Sequence, residues 1–139
     1  MHAKKLIEML CNSLSSNENL EDIKIISEFP SVKQEVPLQK TVVSIGLEGV
    51  SITTTKINTQ ISLDASPVNY KIGMTLCVPK KGTGASCHDA VDRLLDALKP
   101  IVCEYSVTDI DVGAMKYSST LGALTVPITV NIYNGNAYK

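Results

Sequence analysis

The chain has 139 residues, 13 basic and 14 acidic, with a net charge of −1 and 44% hydrophobic residues. That length fits one domain around one core, and that hydrophobic content excludes a disordered chain. Arg93 is the only arginine and no basic cluster surrounds it, which argues against direct binding to duplex nucleic acid.

In chain order, residues 3–15 predict a helix. Leu6, Leu10 and Leu14 recur at four-residue spacing beside Ile7, which makes one apolar stripe. Residues 22–29 predict a short strand with Ile23 and Ile25 on one face and Ile26 on the other, ended by Pro30. Residues 31–39 form an irregular crossing. Residues 40–53 are the first long strand, with Val43, Ile45 and Leu47 alternating; Gly46 and Gly49 predict a bulge or bend inside it.

Residues 54–67 are the least regular stretch. They read as an extended loop or as the tip of a long hairpin, with strand character reaching Ile57. A β arm of that kind cannot bury itself alone, which suggests burial against another chain; the alternative reading is a mobile surface loop. Residues 68–78 are the second long strand: Val68, Tyr70, Ile72, Met74, Leu76 and Val78 occupy every other position. Side chains alternate across a strand, so this one is half-buried in an antiparallel sheet.

A glycine-rich turn follows at residues 79–84. Ser86 reads as an N-cap with Asp89 three residues on, and the helix is expected to run to about Leu98, stopped by Pro100. Its buried stripe would be Val91, Leu94, Leu95 and Leu98. Residues 104–117 and 121–133 predict two more strands. In the last, Pro127 implies an edge position or a bulge. Residues 134–139 read as a loose polar tail. The order α-β-β-β-α-β-β, with most neighbouring strands joined by turns, predicts one α+β domain: a mainly antiparallel β-sheet with two helices packed on one face and a long hairpin arm.

No pattern that carries chemistry stands out. Cys11, Cys77, Cys87 and Cys103 form no C-x-x-C pair, and only His2 and His88 could join them, so no metal or cofactor is expected and the thiols read as reduced and intracellular. The segment 1–14 has no secretory pattern, and no run reaches the roughly 20 apolar residues of a membrane span. Lys80 and Lys81 precede Gly82 and Gly84, the reverse of a phosphate loop, whose lysine follows its last glycine. Cys87, His88 and Asp89 are adjacent on a helix and cannot meet as a triad. Asp89, Asp92 and Asp96 share one helix face, read as a solvated face; lining a channel, it could repel DNA. Asp109 and Asp111 share one strand face. The chain is not expected to be an enzyme.

Two local patterns point elsewhere. One is Ser27-Glu28-Phe29-Pro30, then Pro37-Leu38 and residues 42–46. The other is residues 70–79, then Gly82-x-Gly84-x-x-Cys87, Val91, Leu94-Leu95 and Tyr117. With the element order they cover residues 20–133, and they resemble the tail-terminator and tail-completion proteins of long-tailed bacteriophages and phage-tail-like contractile particles. The resemblance implies a structural virion protein made in the host cytoplasm. A hexameric ring of it would cap the tail tube, end tube polymerisation and present the head–tail joining surface. The implied partners are other copies of the chain, the tail tube protein, the head-completion or connector protein and, in contractile tails, the sheath protein. DNA would only pass through the lumen, and no membrane is involved. Expected contact residues between copies are Lys56, Ile57, Ile61 and Leu63 in the arm and Tyr138 in the tail. Another neck, head-completion or baseplate component is the alternative, and a small thiol or carboxylate enzyme a more distant one.

Overall fold

A computed structural model describes residues 3–27, 40–52, 55–57, 60–62, 68–79, 84–119 and 122–134. The fold is α+β. Helix α1 (Ala3–Ser15) and a single 3-10 turn (Glu18–Leu20) lead into β1 (Lys24–Ser27) and β2 (Val42–Ile52). Two short strands, β3 (Thr55–Ile57) and β4 (Gln60–Ser62), separate β2 from β5 (Val68–Pro79). Helix α2 (Gly84–Glu104) then precedes β6 (Val107–Val112), β7 (Lys116–Ser118) and β8 (Ala123–Asn134).

The main sheet runs β1-β2-β5-β8-β6, with β7 pairing β8 beyond the end of β6. Every described pairing in it is antiparallel except β1 with β2. The two twelve-residue strands β5 and β8 form its centre. Their alternating apolar residues lie in register: Tyr70 opposite Ile132, Ile72 opposite Val130, Met74 opposite Ile128. All six are buried, together with Leu6, Leu10 and Leu14 of α1 and Leu94, Leu98 and Ile101 of α2, in one core on one face of the sheet. Burial of each such side chain contributes on the order of 1.5–3 kcal/mol, the main term holding the helices to the sheet.

Asn17 ends the first helical region: its side-chain oxygen accepts from the Asn19 N–H at 2.9 Å and caps the 3-10 turn. The bulge expected from Gly46 and Gly49 is present. Register jumps from Leu47–Ile72 to Gly49–Lys71, leaving Glu48 as the extra residue. Its carboxylate lies over Gly73, where a Cβ would collide with it, and 3.6 Å from Lys71 Nζ.

Several expectations need correction. The second helix continues through Pro100 to Glu104. A mid-helix proline costs roughly 3 kcal/mol, but Pro100 is exposed, and the buried Leu98 and Ile101 around it anchor the last turns to the core. Ser86 is the third residue of that helix rather than its cap. The helix also buries a face centred on Cys87, Ala90, Leu94, Ala97, Leu98 and Ile101, with Val91 and Leu95 half-buried at its flank; the alanines, weak signals in a sequence, are buried in the core. Finally, residues 104–117 are not one strand. Glu104 ends the helix, and β6 and β7 are separated at 113–115. Pro127 is accordingly in a strand flanked on both sides, and the irregularity it demands falls in its neighbour. Strands β1 and β2 are shorter than expected, β1 beginning at Lys24 and β2 running from Val42 to Ile52, while β8 reaches Asn134. The crossing at 31–39 lies outside the described residues.

Candidate assembly interface

The expected arm is a hairpin. β3 and β4 pair antiparallel as a separate two-stranded sheet, with Thr55 opposite Ser62, Lys56 opposite Ile61 and Ile57 opposite Gln60. It lies in the connection between β2 and β5, whose last register pair is Ile52 with Val68. Of the expected contact residues, Lys56 and Ile61 thus share one register pair and Ile57 occupies the next. Leu63 and Tyr138 lie outside the described residues. A two-stranded ribbon of three register pairs is marginal by itself in water, and each of its strands has a single strand partner among the described residues.

The strand order ends in β1 and β6, and β7 also has a single strand neighbour, β8, among the described residues. β1 is four residues long and carries Lys24. β6, Val-Thr-Asp-Ile-Asp-Val, carries two carboxylates and no cation. Its backbone alternation is set by the Gly113 N–H, which donates to the Pro127 carbonyl at 2.8 Å. Gly113, Asp111 and Asp109 therefore turn their backbone groups toward β8, while Ile110 and Val112 turn theirs outward. On this strand and the stretch that follows it, three large apolar side chains are exposed: Val112 by 43%, Met115 by 38% and Tyr117 by 53%. Val112 and Tyr117 face Ile128 and Leu124 across the ladder, so they belong to the core side of the sheet but extend past its helical cover. Sequence reasoning missed this exposure because it treated 104–117 as continuous; Gly113 and Pro127 together were the available signal for the break.

The opposite sheet face is polar around Ser51, Asn69, Lys71, Asp109 and Asn131, which border a shallow depression. Its charges are matched, with Lys71 beside Glu48 and the Asn131 amide donating to Asp109.

The remaining sequence motifs do not converge. Cys87 is buried while His88 and Asp89 are exposed, and Asp89 is engaged by Arg93, Nε to Oδ2 at 3.1 Å. Asp96 pairs with Lys99 at 2.9 Å, so two of the three carboxylates on that helix face carry a cation and the face is not a bare acidic stripe. Arg93 also donates to Asp22 Oδ1 at 2.8 Å and to the Asn19 carbonyl at 3.2 Å, fastening α2 to the turn ahead of β1. That hydrogen bond holds the Asp22 carboxyl below the usual carboxylate range and pushes the guanidinium up. Burial, with Cys87 nearby, pushes the Cys77 thiol up to about 11, and burial raises Cys87 and Cys11 as well. Among the described residues no group of three or more His, Cys, Asp or Glu could hold a metal ion, and no helix is long and apolar enough to cross a membrane. Lys80, Lys81 and Gly82 lie outside the described residues. No protein-family model matches the chain, and no curated protein sequence does.

Proposed function

We propose that this chain is a structural ring subunit, the tail terminator of a long-tailed phage or phage-tail-like particle. Six copies close into a ring on the last layer of the tail tube, end tube growth and present a surface to the head connector. The protein acts by assembly rather than by turnover, at the capsid-proximal end of the virion tail. The observation that carries this reading is the β3–β4 hairpin, a ribbon paired only with itself in the described sheets and too small to be stable without further strands. Heterologous contacts between identical copies close into a ring when the rotation between them closes. An arm between β2 and β5 and a free strand edge at β6, the end of the strand order, suit such a head-to-tail contact.

Light scattering and negative-stain imaging of the purified chain test this. The expected result is a closed six-fold ring for the full chain, and a folded monomer when residues 53–67 are replaced by Asn-Gly joining Ile52 to Val68. A full chain that stays monomeric at assembly concentrations, or a shortened chain that still forms rings, overturns the reading. Density for the chain at the capsid end of the tube in a particle map separates a terminator from a baseplate component.

A further inference from the structure

We infer that the free edge of β6, with the apolar ledge of Val112, Met115 and Tyr117 beside it, receives the β3–β4 hairpin of a second copy of this chain. The inference rests on the ring reading and names the acceptor that reading requires. The edge offers the outward N–H and C=O groups of Ile110 and Val112, which have no strand partner among the described residues. An incoming strand would pair with them and lay side chains along the ledge, which is 38–53% exposed in the lone subunit.

Charge selects the occupant. Asp109 and Asp111 are both exposed, so a second β6 laid along this edge would bring carboxylates against carboxylates. The hairpin strands, Thr-Lys-Ile and Gln-Ile-Ser, carry Lys56 and no acid. The other outer strand, β1, is short and carries Lys24, the same sign as the arm, which makes it the poorer acceptor.

Reach excludes the chain's own arm. Neighbouring strands are about 4.8 Å apart, and β6 is three strands from β2. A strand added outside β6 would lie roughly 19 Å from β2. Only two residues connect Ile52 to Thr55, spanning at most about 11 Å. The hairpin also leaves at the Ile52–Val68–Asn134 end of the sheet, whereas Val112 lies opposite Ile128, farther along. The arm and the edge can meet only between copies.

The test uses three full-length variants and one shortened chain. Val112→Pro removes the outward N–H while leaving the bonds to β8, since those come from its neighbours. The shortened chain has Asn-Gly in place of residues 53–67 and keeps its edge. Each alone is expected to be monomeric by light scattering. Mixed, they are expected to give a 1:1 heterodimer and nothing larger, because the arm of the first meets the intact β6 edge of the second. Asp109→Lys with Asp111→Lys leaves the backbone untouched and is expected to weaken assembly at least about tenfold; adding Lys56→Glu is expected to restore part of it. That charge-reversal series carries the test should the proline variant melt early. If the shortened chain is monomeric but the proline and charge-reversed variants assemble like the full chain, the arm has another acceptor and this inference fails while the ring reading stands. If the full chain never assembles, both fail.

Discussion

Gly113 donates its backbone N–H to the Pro127 carbonyl at 2.8 Å, and the proline ring occupies the space beside it: a Cβ on residue 113 would lie 2.6 Å from Pro127 Cγ. In an antiparallel pair of this kind the second residue normally returns an N–H to the first. Proline has none, so the ladder is interrupted at that pair, between β6 and β7. Glycine at 113 lets the strands stay close where one of the two bonds is missing. Gly113→Ala is expected to cost about 1–3 kcal/mol through overpacking against a rigid ring. Urea denaturation measures it. Pro127→Ala in the same chain should recover part of the loss, a non-additivity that two independent sites would not show.

Ser106 is the one described non-glycine residue with positive φ, at 56°. It follows the end of α2, where the Tyr105 N–H still bonds back to Ile101 at 2.9 Å and the Ser106 carbonyl accepts from the Tyr133 N–H at 3.1 Å. This is the position at which helices commonly turn left-handed, and glycine is the usual occupant. Ser106→Gly removes strain of roughly 1–2 kcal/mol and adds backbone entropy to the unfolded chain of roughly 0.5–1 kcal/mol. A net gain of about 0.5–1 kcal/mol is expected, read as a raised urea midpoint with an unchanged slope. Ser106→Val should move the midpoint the other way.

The strands were legible because a two-residue period in Val68–Pro79 and Ala123–Asn134 has one structural meaning when one face is buried. The α1 stripe was equally plain, every one of its four residues being buried. The second helix was misjudged where local and tertiary terms compete. Pro100 marks a stop by propensity, but a stop there would leave Ile101 unburied. Ala90 and Ala97 are buried in the core without contributing to an apolar stripe that the eye can follow. The arm was legible as an anomaly, an irregular stretch between two strong strands, and its β3–β4 pairing is visible only in the fold. The ledge by β6 was not legible at all from periodicity, because exposure of Val112 and Tyr117 depends on where α2 ends its cover, a property of three-dimensional packing.

Asp22 and Arg93 give the fold a pH-dependent fastening. The folded-state Asp22 carboxyl is held below its ordinary range, first by the Arg93 hydrogen bond. A depressed carboxyl contributes stability above its unfolded value, near 3.9, and loses it as pH falls through the folded value. The pair is largely solvent-exposed, so the contribution is about 0.2–1 kcal/mol. Asp22→Asn should therefore be less stable than the parent by that amount at pH 7, with the gap closing below about pH 4. The same variant at neutral pH in molar salt should also approach the parent, since an exposed pair is screened. Chemical denaturation at several pH values checks both.

The cysteines separate by environment, and thiol labelling should follow that order. Cys103 is exposed, Cys11 half-buried, and Cys77 and Cys87 are buried. Attack on a disulfide reagent needs the thiolate. Burial pushes Cys77 up to about 11, so at pH 8 it holds almost no thiolate even before access is considered. Labelling of the native chain at pH 8 should show one fast thiol, a slower second, and two that react only at the rate of opening. Cys103→Ser should abolish the fast phase and leave stability within about 0.5 kcal/mol, as expected for an exposed substitution. In denaturant all four cysteines of the chain should react together. Fast labelling of Cys77 in the native protein would mean that its end of β5 is open to solvent, and the central strand pairing at that end would then have to be redrawn.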